Sequence, residues 1–512
     1  MARRPLFVAL LALVAALALV AGCAADPHEG APDRHAPVGR RPNVVFILTD
    51  DQRWDQLSSA GHPFLETPHI DQLAAEGTRF ANMFVTTSLC SPSRASFLSG
   101  LYANTHGVVN NFTDYPRDLA SFPRRLQAAG YHTGYVGKWH MGEDDDTRRP
   151  GFDHWVSHRG QGRYHDNEWN LNGERQVVSG YYTDVVTDLA IEFLDSDHGE
   201  RPFLLILGHK APHTPFTPEA RYAHLYDDVP IGYPASARQL DGKPKWVEQR
   251  LDTWHGIYGP IYGFRKSFPD RSEAAEEDFD AFVRSYTASI KSIDDSVGRI
   301  RSALERLGVL GNTLIVFAGD NGMFLGEYGM TDKRAMNEPS IRVPLIVRYP
   351  GLARPGTVVE QQVLNIDLAP SIVEICGAEP LGDIHGESWA RLLRGDVAGW
   401  RTSWYYEYNY EEQFPYTPNV RGVRTDRWKF VRSPHSAADA RAPIDRHTAE
   451  LYDLQADPAE RFNLIAEPSH AGTARALRAE LDRLIDAHGG RSYQKMPVDE
   501  GIQATLPDAR IR

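Results

Sequence analysis

Residues 42–51 read PNVVFILTDD, an uninterrupted apolar run of strand length that ends in two carboxylates. Continuous apolar runs of this length are typical of parallel strands that are buried on both faces of a sheet. Comparable runs recur later in the chain, at 203–207 (FLLIL), 314–317 (LIVF) and 344–347 (PLIV). Together these four segments predict a large, mostly parallel sheet.

Helical patterns separate the apolar runs. They lie at 70–76, 119–129, 182–194 and 274–307. Alternating strands and helices predict an α/β fold in which a mixed, mostly parallel sheet is sandwiched by helices. Such sheets bind ligands at the carboxyl ends of their strands, so we expect the functional residues there.

The pattern changes near residue 400. Short aromatic segments at 404–410, 420–431 and 451–454 predict a smaller antiparallel sheet, and 473–488 predicts a closing helix. We therefore expect a catalytic domain over 41–395 and a C-terminal subdomain over 396–512. A further segment, 230–271, is rich in Pro, Gly, Trp and Tyr and is predicted to be a long insertion that lines a substrate cleft.

Composition restricts the classes of function. The chain has 512 residues and a formal net charge of -13. An acidic balance argues against non-specific nucleic-acid binding, so we expect no nucleic-acid partner. An anionic substrate would need a local cluster of cations.

The N-terminus has two arginines followed by an apolar run that is short for a spanning helix. Residues 20–23, VAGC, resemble a bacterial lipobox. We therefore expect 1–22 to be a lipoprotein signal peptide, Cys23 to be lipidated and 23–40 to be a flexible tether. The protein would then be exported and anchored to a membrane, periplasmic or at the cell surface, through its lipid only; a plain signal peptide cut nearby is the alternative.

Oxygen-bearing side chains follow two of the predicted strands. Asp50 and Asp51 end the first run, and Asp320 with Asn321 follows the third. Hard oxygen ligands suit Ca²⁺ or Mg²⁺ and do not suit a thiophilic metal. The alternative for an isolated Asp pair is to cap a following helix, but the two strand ends together favour a divalent metal site.

Cations and imidazoles also follow apolar runs. Lys138 and His140 lie two positions apart in GYVGKWHMG (134–142), a spacing that on a strand would place both on one face. His209 and His213 follow the second run, and Lys333 with Arg334 follows the Asp320 strand end. Each alone is typical of a solvated loop; their shared placement makes them candidate site residues.

The chain has three cysteines, and lipidation would account for Cys23. A disulfide between Cys90 and Cys376 stays open, although exported proteins that depend on disulfides usually carry more of them. Cys376 lies in an apolar helical pattern and is expected to be a small buried hydrophobe. Cys90 is then a candidate for chemistry.

The region around Cys90 carries a family resemblance. Cys90 to Arg94 (CSPSR), continuing to the LSG of 98–100, resembles the sulfatase signature, and 134–142 resembles the second sulfatase signature. The resemblance extends over 41–464. It implies a type I, formylglycine-dependent sulfatase of the alkaline phosphatase superfamily, a sulfuric ester hydrolase.

The resemblance also implies the site chemistry. A formylglycine-generating enzyme would convert Cys90 to formylglycine, whose hydrate attacks sulfur through one hydroxyl and expels sulfate by losing the proton of the other. Four residues would hold one cation, Ca²⁺ or alternatively Mg²⁺: Asp50, Asp51, Asp320 and Asn321. Arg94 would stabilise the alkoxide, and Lys138 and Lys333 would neutralise sulfate oxygens.

Two histidines complete the implied set. His140 would take the proton that is lost when sulfate is released. His213, with Lys333, would donate to the leaving alcohol oxygen or stabilise it. The preference for His213 over His209 rests on its Ala-Pro-His context in 211–213.

The substrate expectation comes from two further segments. Residues 324–334 and 106–111 resemble bacterial N-acetylglucosamine-6-sulfatase-like carbohydrate sulfatases, which implies a sulfated sugar from glycosaminoglycan or mucin glycans. The aromatic residues of 404–416 either stack on a sugar or fill the core of the small sheet. His435, just beyond an aromatic strand, is a further candidate sugar contact.

Other functions stay open at this point. The enzyme could be iduronate-2-sulfatase-like or an arylsulfatase. A phosphoesterase on the same scaffold would use Ser or Thr and commonly two Zn²⁺ ions with His ligands, and a non-catalytic lipoprotein would only bind glycans. A cysteine hydrolase that pairs a Cys90 thiolate with His140 would leave the metal carboxylates without a role.

Overall fold

The structure is a computed structural model that describes residues 41–244, 246–247, 273–412, 414, 417–434 and 448–490. Several sequence predictions lie outside these residues: the signal peptide 1–22, the lipidated Cys23, the tether 23–40, most of the insertion 230–271 and His435. Among the described residues, no helix is long and apolar enough to cross a membrane.

The described residues contain strands and helices that we number in chain order. The strands are β1 Asn43–Thr49, β2 Thr78–Phe80, β3 Met83–Phe84, β4 His132–Gly137, β5 His154–Ser157, β6 Glu168–Leu171, β7 Glu174–Val177, β8 Phe203–Gly208, β9 Thr313–Gly319, β10 Phe324–Leu325, β11 Thr331–Asp332, β12 Leu345–Arg348, β13 Thr357–Val359, β14 Val363–Leu364, β15 Ser403–Tyr408, β16 Val420–Thr425, β17 Trp428–Arg432 and β18 Ala449–Asp453. The α-helices are α1 Pro68–Glu76, α2 Cys90–Ser99, α3 Ala103–His106, α4 Phe122–Ala128, α5 Tyr182–Asp195, α6 Glu273–Arg306, α7 Glu338–Ile341, α8 Leu368–Ile375, α9 Ala390–Leu393 and α10 Ala471–His488.

Ten strands form the main sheet in the order β13-β2-β12-β9-β1-β8-β4-β5-β6-β7. The five strands from β9 to β5 run parallel to one another, and both flanks carry antiparallel pairs. The register pairs Thr49 with Gly319, and Leu48 and Gly137 each pair with Gly208. The carboxyl ends of β9, β1, β8 and β4 therefore lie side by side at one edge of the sheet.

Helices cover both faces of this sheet, which explains its continuous apolar strands. Alternate residues of β1 enter different cores: Val44 and Phe46 belong to the core beneath α2, α4 and α8, whereas Val45 and Ile47 belong to the core beneath α1, α5 and α6. All seven residues of β1 are buried.

A second sheet, β15-β16-β17-β18, is fully antiparallel and packs against α10. The sequence prediction of a large mixed, mostly parallel sheet with a smaller antiparallel sheet and closing helix is therefore confirmed. Residues 420–431, predicted as aromatic strand, form the hairpin of β16 and β17. The division of the chain at 395/396 stays a prediction.

Two local expectations need correction. The helix expected over 119–129 begins only at Phe122, because the preceding residues lie in a turn and a loop. Lys138 and His140 do not share a strand face, since β4 ends at Gly137 and His140 has a φ of 51°. Gly137 itself has a φ of 118°, and a Cβ there would lie 2.0 Å from the Gly208 carbonyl oxygen, so the chain leaves β4 by a turn that requires glycine.

Candidate active site

The acidic residues of the candidate site come from two adjacent strand ends. Asp50 and Asp51 follow β1, and Asp320 follows the neighbouring β9, whose register places it opposite. The Asp51 amide donates to Asp320 Oδ1 at 3.1 Å. One carboxylate oxygen from each of the three residues lies within 4.8 Å of the others, and all three residues are buried. Parallel pairing therefore creates the cluster.

Cys90 begins α2 and is completely buried. Its Sγ donates to Asp50 Oδ1 at 3.4 Å, so the N-terminus of α2 is aimed at the acidic strand ends. The Asn111 side chain accepts from the Ser91 amide at 3.1 Å, which satisfies one of the first amides of this helix. The structure thus brings Cys90 and the predicted metal ligands together.

Three buried cations surround the carboxylates. Lys138 Nζ donates to Asp50, and Lys333 Nζ donates to Asp51 Oδ1. Arg94 Nε donates to Asp320 Oδ2 at 2.8 Å, and Arg94 Nη1 donates to the Lys138 carbonyl at 2.6 Å. The two lysines and the arginine reach the site from different segments of the chain.

Burial and these charges shift the pKa values of the three carboxylates in different directions. Burial alone would raise the pKa of Asp50, but Lys138, His213 and Arg94 outweigh it and hold that pKa well below its usual value. Burial raises the pKa of Asp51, although Lys333 opposes this, and burial together with the Asp50 charge raises the pKa of Asp320 to about 7. The positive charges of the protein therefore do not fully compensate the negative charges of the three carboxylates.

The same residues fit a hard divalent cation. The donor set consists of carboxylate oxygens and Asn321, whose buried Oδ1 has no hydrogen-bond partner among the described residues, while its Nδ2 donates to Asp51 Oδ1 at 2.6 Å. Oxygen-only sets of this kind suit Ca²⁺ or Mg²⁺. A cation held there would relieve the mutual repulsion that raises the pKa of Asp320.

The histidines separate into two groups. His213 Nε2 lies 3.8 Å from Asp51 Oδ2, and its Nδ1 lies 2.7 Å from the Thr214 carbonyl oxygen. His209 instead lies against α6, with Nε2 3.3 Å from Ser296 Oγ. The site therefore contains His213, as preferred from the sequence, while His209 contacts a helix behind the sheet.

His140 is buried and reaches Glu143, with Nε2 3.0 Å from Glu143 Oε1. Its carbonyl accepts from Ser91 Oγ, which connects it to the residue after Cys90. Burial and the Lys138 charge lower the pKa of His140 well below its usual value, so the ring is neutral.

The Cys90 thiol is kept protonated. Burial and the nearby Asp50 raise its pKa well above the usual value, even though Lys333 and Lys138 oppose this. A thiolate nucleophile needs the opposite environment, which argues against a cysteine hydrolase. Cys90 and Cys376 are both free, so the disulfide left open between them does not form, and Cys376 is buried as expected.

Other site contacts were not identified from the sequence. Gln161 accepts from Lys138 Nζ, Tyr286 Oη donates to the Asp51 carbonyl at 2.6 Å, and Glu143 contacts His140. Only Glu143 had a local signal, its position three residues after His140. Gln161 and Tyr286 come from segments that are distant in sequence.

The aromatic residues of β15 answer part of the alternative left open for 404–416. Trp404, Tyr405, Tyr406 and Tyr408 are at most 1% exposed, so they fill the core of the small sheet and offer no face to a sugar. Tyr406 Oη also donates to the Arg334 carbonyl at 3.1 Å, next to Lys333. This sheet thus supports the edge of the site.

Comparison with known proteins agrees with this geometry. The sulfatase family model matches residues 42–378, and a model for the C-terminal region of N-sulphoglucosamine sulphohydrolase matches residues 326–487. The N-acetylglucosamine-6-O-sulfatase of Bacteroides thetaiotaomicron is 32% identical over 86% of this chain and 86% of its own length. The N-acetylglucosamine-6-sulfatase of Homo sapiens is 29% identical over 73% of this chain and 68% of its own.

A solved structure of a protein in complex with its substrate D-glucosamine-2-N,6-O-disulfate superposes with a TM-score of 0.80 at 29% identity, covering 88% of this chain and 99% of that one. The family match covers both the acidic strand ends and the helix that begins at Cys90. The chain therefore belongs to the sulfatase family.

Proposed function

We propose that this sulfatase, a hydrolase of carbohydrate sulfate esters, removes the 6-O-sulfate of N-acetylglucosamine or a closely related glucosamine in glycosaminoglycan or mucin glycans. The relatives that act on 6-sulfated glucosamines cover most of this chain, which supports the proposal. The observation that carries the chemistry is the 3.4 Å contact between Cys90 Sγ and Asp50 Oδ1 inside the buried acidic cluster.

Formylglycine at position 90, made from Cys90 by a formylglycine-generating enzyme, would supply a hydrated aldehyde with one hydroxyl for attack on sulfur and a second for sulfate release. Four oxygen-bearing residues, Asp50, Asp51, Asp320 and Asn321, would hold one Ca²⁺, with Mg²⁺ as the alternative. The cation would supply Lewis-acid polarisation of the sulfate.

The remaining residues act through charge and proton transfer. Lys138 and Lys333 compensate negative charge on the sulfate oxygens, and Arg94 stabilises the oxygen at position 90. His140 accepts the proton lost during sulfate release, and its lowered pKa keeps it in the neutral form that can do so. His213, which lies beside Asp51, donates to the leaving alcohol oxygen or stabilises it.

The cellular setting and domain division are part of the same proposal. Residues 1–22 would direct export, Cys23 would carry the lipid and 23–40 would tether the enzyme to a bacterial membrane. Residues 41–395 would form the catalytic domain and 396–512 the C-terminal subdomain. Replacing Cys23 with Ser and following the protein in membrane and soluble fractions tests the anchor.

The substrate is tested with a matched panel of 6-O-, 2-O-, 3-O- and N-sulfated sugars, using enzyme whose residue 90 has been checked for conversion by mass spectrometry. Selective release of sulfate from 6-O-sulfated N-acetylglucosamine supports the proposal. Cleavage restricted to 2-O-sulfated uronic acid or to aryl sulfates would assign the alternative sulfatase specificities. Cleavage of matched phosphate esters only, or glycan binding with an unconverted Cys90, would overturn it.

A further inference from the structure

Glu143 contacts the Nε2 side of the His140 ring. The His140 ring is completely buried, whereas the Glu143 side chain is 23% exposed, and Glu143 Oε1 lies 3.0 Å from His140 Nε2. The carboxylate also lies close to Gly160, since a Cβ there would lie 2.6 Å from Glu143 Oε2. Glu143 therefore lies between the imidazole and the Gly160 backbone.

This contact fixes the position of the proton on His140. A neutral imidazole carries one N–H, and an ionised carboxylate can only accept a hydrogen bond. Burial, together with Lys138, Arg94 and His213, lowers the pKa of His140 well below the usual value although Asp50 opposes this, so the ring carries a single proton. That proton must lie on Nε2 to satisfy Glu143.

The other ring nitrogen then has the lone pair. His140 Nδ1 is buried and has no hydrogen-bond partner among the described residues. A buried acceptor without a partner is costly unless a ligand or reacting group satisfies it. The Ser91 contact to the His140 carbonyl keeps this ring beside the segment that contains position 90.

We propose that Glu143 is a positioning residue that holds His140 in the Nε2–H tautomer, so that Nδ1 accepts the proton in the sulfate-releasing step. The inference rests on the proposed function. In that step Nδ1 takes the proton of the remaining hydroxyl at position 90, the O–H electron pair forms the C=O bond, and the C–O bond to sulfate breaks with its electron pair leaving on sulfate. Water then adds to the carbonyl and restores the diol.

A carboxylate behind the imidazole also stabilises the imidazolium that forms when Nδ1 takes the proton. Loss of Glu143 should therefore make His140 a weaker base and remove its preference for the Nε2–H tautomer. Binding of the sulfate ester should change little, because Glu143 acts on the reaction through His140.

The test uses Glu143→Ala and Glu143→Gln, with Asp144→Asn as the control at the neighbouring exposed carboxylate. Nitrogen-15 NMR of histidine-labelled full-length protein, with His140→Asn to assign the signals, reads the tautomer without any turnover. We expect Nε2–H in the wild type and in Asp144→Asn, and loss of that preference in Glu143→Ala.

Kinetics provide the second readout. For the Glu143 variants we expect kcat to fall about 10–100-fold with KM nearly unchanged, and the acidic limb of the kcat profile to move to lower pH because the His140 pKa falls. A wild-type proton on Nδ1, or an unchanged tautomer and kcat in Glu143→Ala, would overturn the inference. An inactive wild type with the Nε2–H tautomer would instead contradict the proposed function alone.

Discussion

Arg94 Nε donates to Asp320 Oδ2 at 2.8 Å, and both side chains are at most 2% exposed. The bond ties α2, which begins at Cys90, to the end of β9, and the second Arg94 bond, to the Lys138 carbonyl, adds the end of β4. One guanidinium therefore connects the helix that begins at Cys90 to two strand ends. A lysine carries its three donors on a single nitrogen and cannot reproduce the fork geometry of these two contacts.

Arg94→Met should destabilise the fold as well as the site. It leaves the Asp320 carboxylate without its buried partner, a change that costs about 3–5 kcal/mol in comparable pairs. Urea denaturation in the presence of a chelator measures the loss. Arg299→Met, which breaks an exposed ion pair with Asp188, should cost under about 1 kcal/mol. Equal losses in the two variants would contradict a structural role for the buried bond.

Cys90→Ala and Cys90→Ser distinguish the proposed nucleophile from other chemistry. We expect both to lose at least about 10⁴-fold in kcat/KM on the sulfated sugar, the usual effect of removing a nucleophile. The serine variant has only one hydroxyl and should retain sulfate covalently, which intact-mass measurement after incubation with substrate detects. Sustained turnover by Cys90→Ala would mean that the reaction does not pass through position 90.

Asn321→Ala should weaken cation binding while leaving the three carboxylates in place. The loss of one ligand should reduce Ca²⁺ affinity by at least about 10-fold, the lower end of what even a supporting contact contributes. Isothermal titration of chelator-treated protein measures this directly. Asn82→Ala, which removes an exposed amide bonded to the Glu360 carbonyl, is the control and should bind as the wild type does. Equal affinities for all three proteins would place the cation elsewhere.

The strand ends were predictable because parallel pairing is a regular rule: an apolar run that ends in Asp places that Asp at the common carboxyl edge. Asp50, Asp51 and Asp320 follow from this rule alone. The rule does not predict the contacts that loops make across the sheet edge. Gln161 and Tyr286 enter the site through tertiary packing, and the turn at Gly137 depends on the close approach of β8, which no local pattern of β4 encodes.

His213→Ala and His209→Ala should separate the role proposed for His213 at the leaving oxygen from packing. A sugar alkoxide is a poor leaving group and must be protonated or stabilised as it leaves, whereas the phenolate of an acidic phenol leaves without either. We expect His213→Ala to lose about 10²–10⁴-fold on the sugar sulfate and far less on a nitrophenyl sulfate. His209→Ala, which loses the contact to Ser296, should alter stability and leave the ratio of the two activities unchanged. A changed ratio in His209→Ala alone would reverse the assignment.

Asp294 offers a pH test away from the site. On α6 it accepts from the His69 and Ile70 amides at the start of α1, at 3.0 and 2.9 Å, and burial raises its pKa from 3.8 to about 6. Between these values the folded protein holds a proton that the unfolded chain has released, so the wild type loses stability as pH rises across this window.

Asp294→Asn keeps the acceptor and removes the titration. The free energy of unfolding of the variant, relative to the wild type, should therefore increase by about 3 kcal/mol between pH 3.5 and pH 7. Urea denaturation of both proteins at matched ionic strength gives this difference at each pH. If the difference is constant, or falls with rising pH, the Asp294 carboxyl is not protonated preferentially in the folded state, and the two amide bonds to α1 outweigh the cost of its burial.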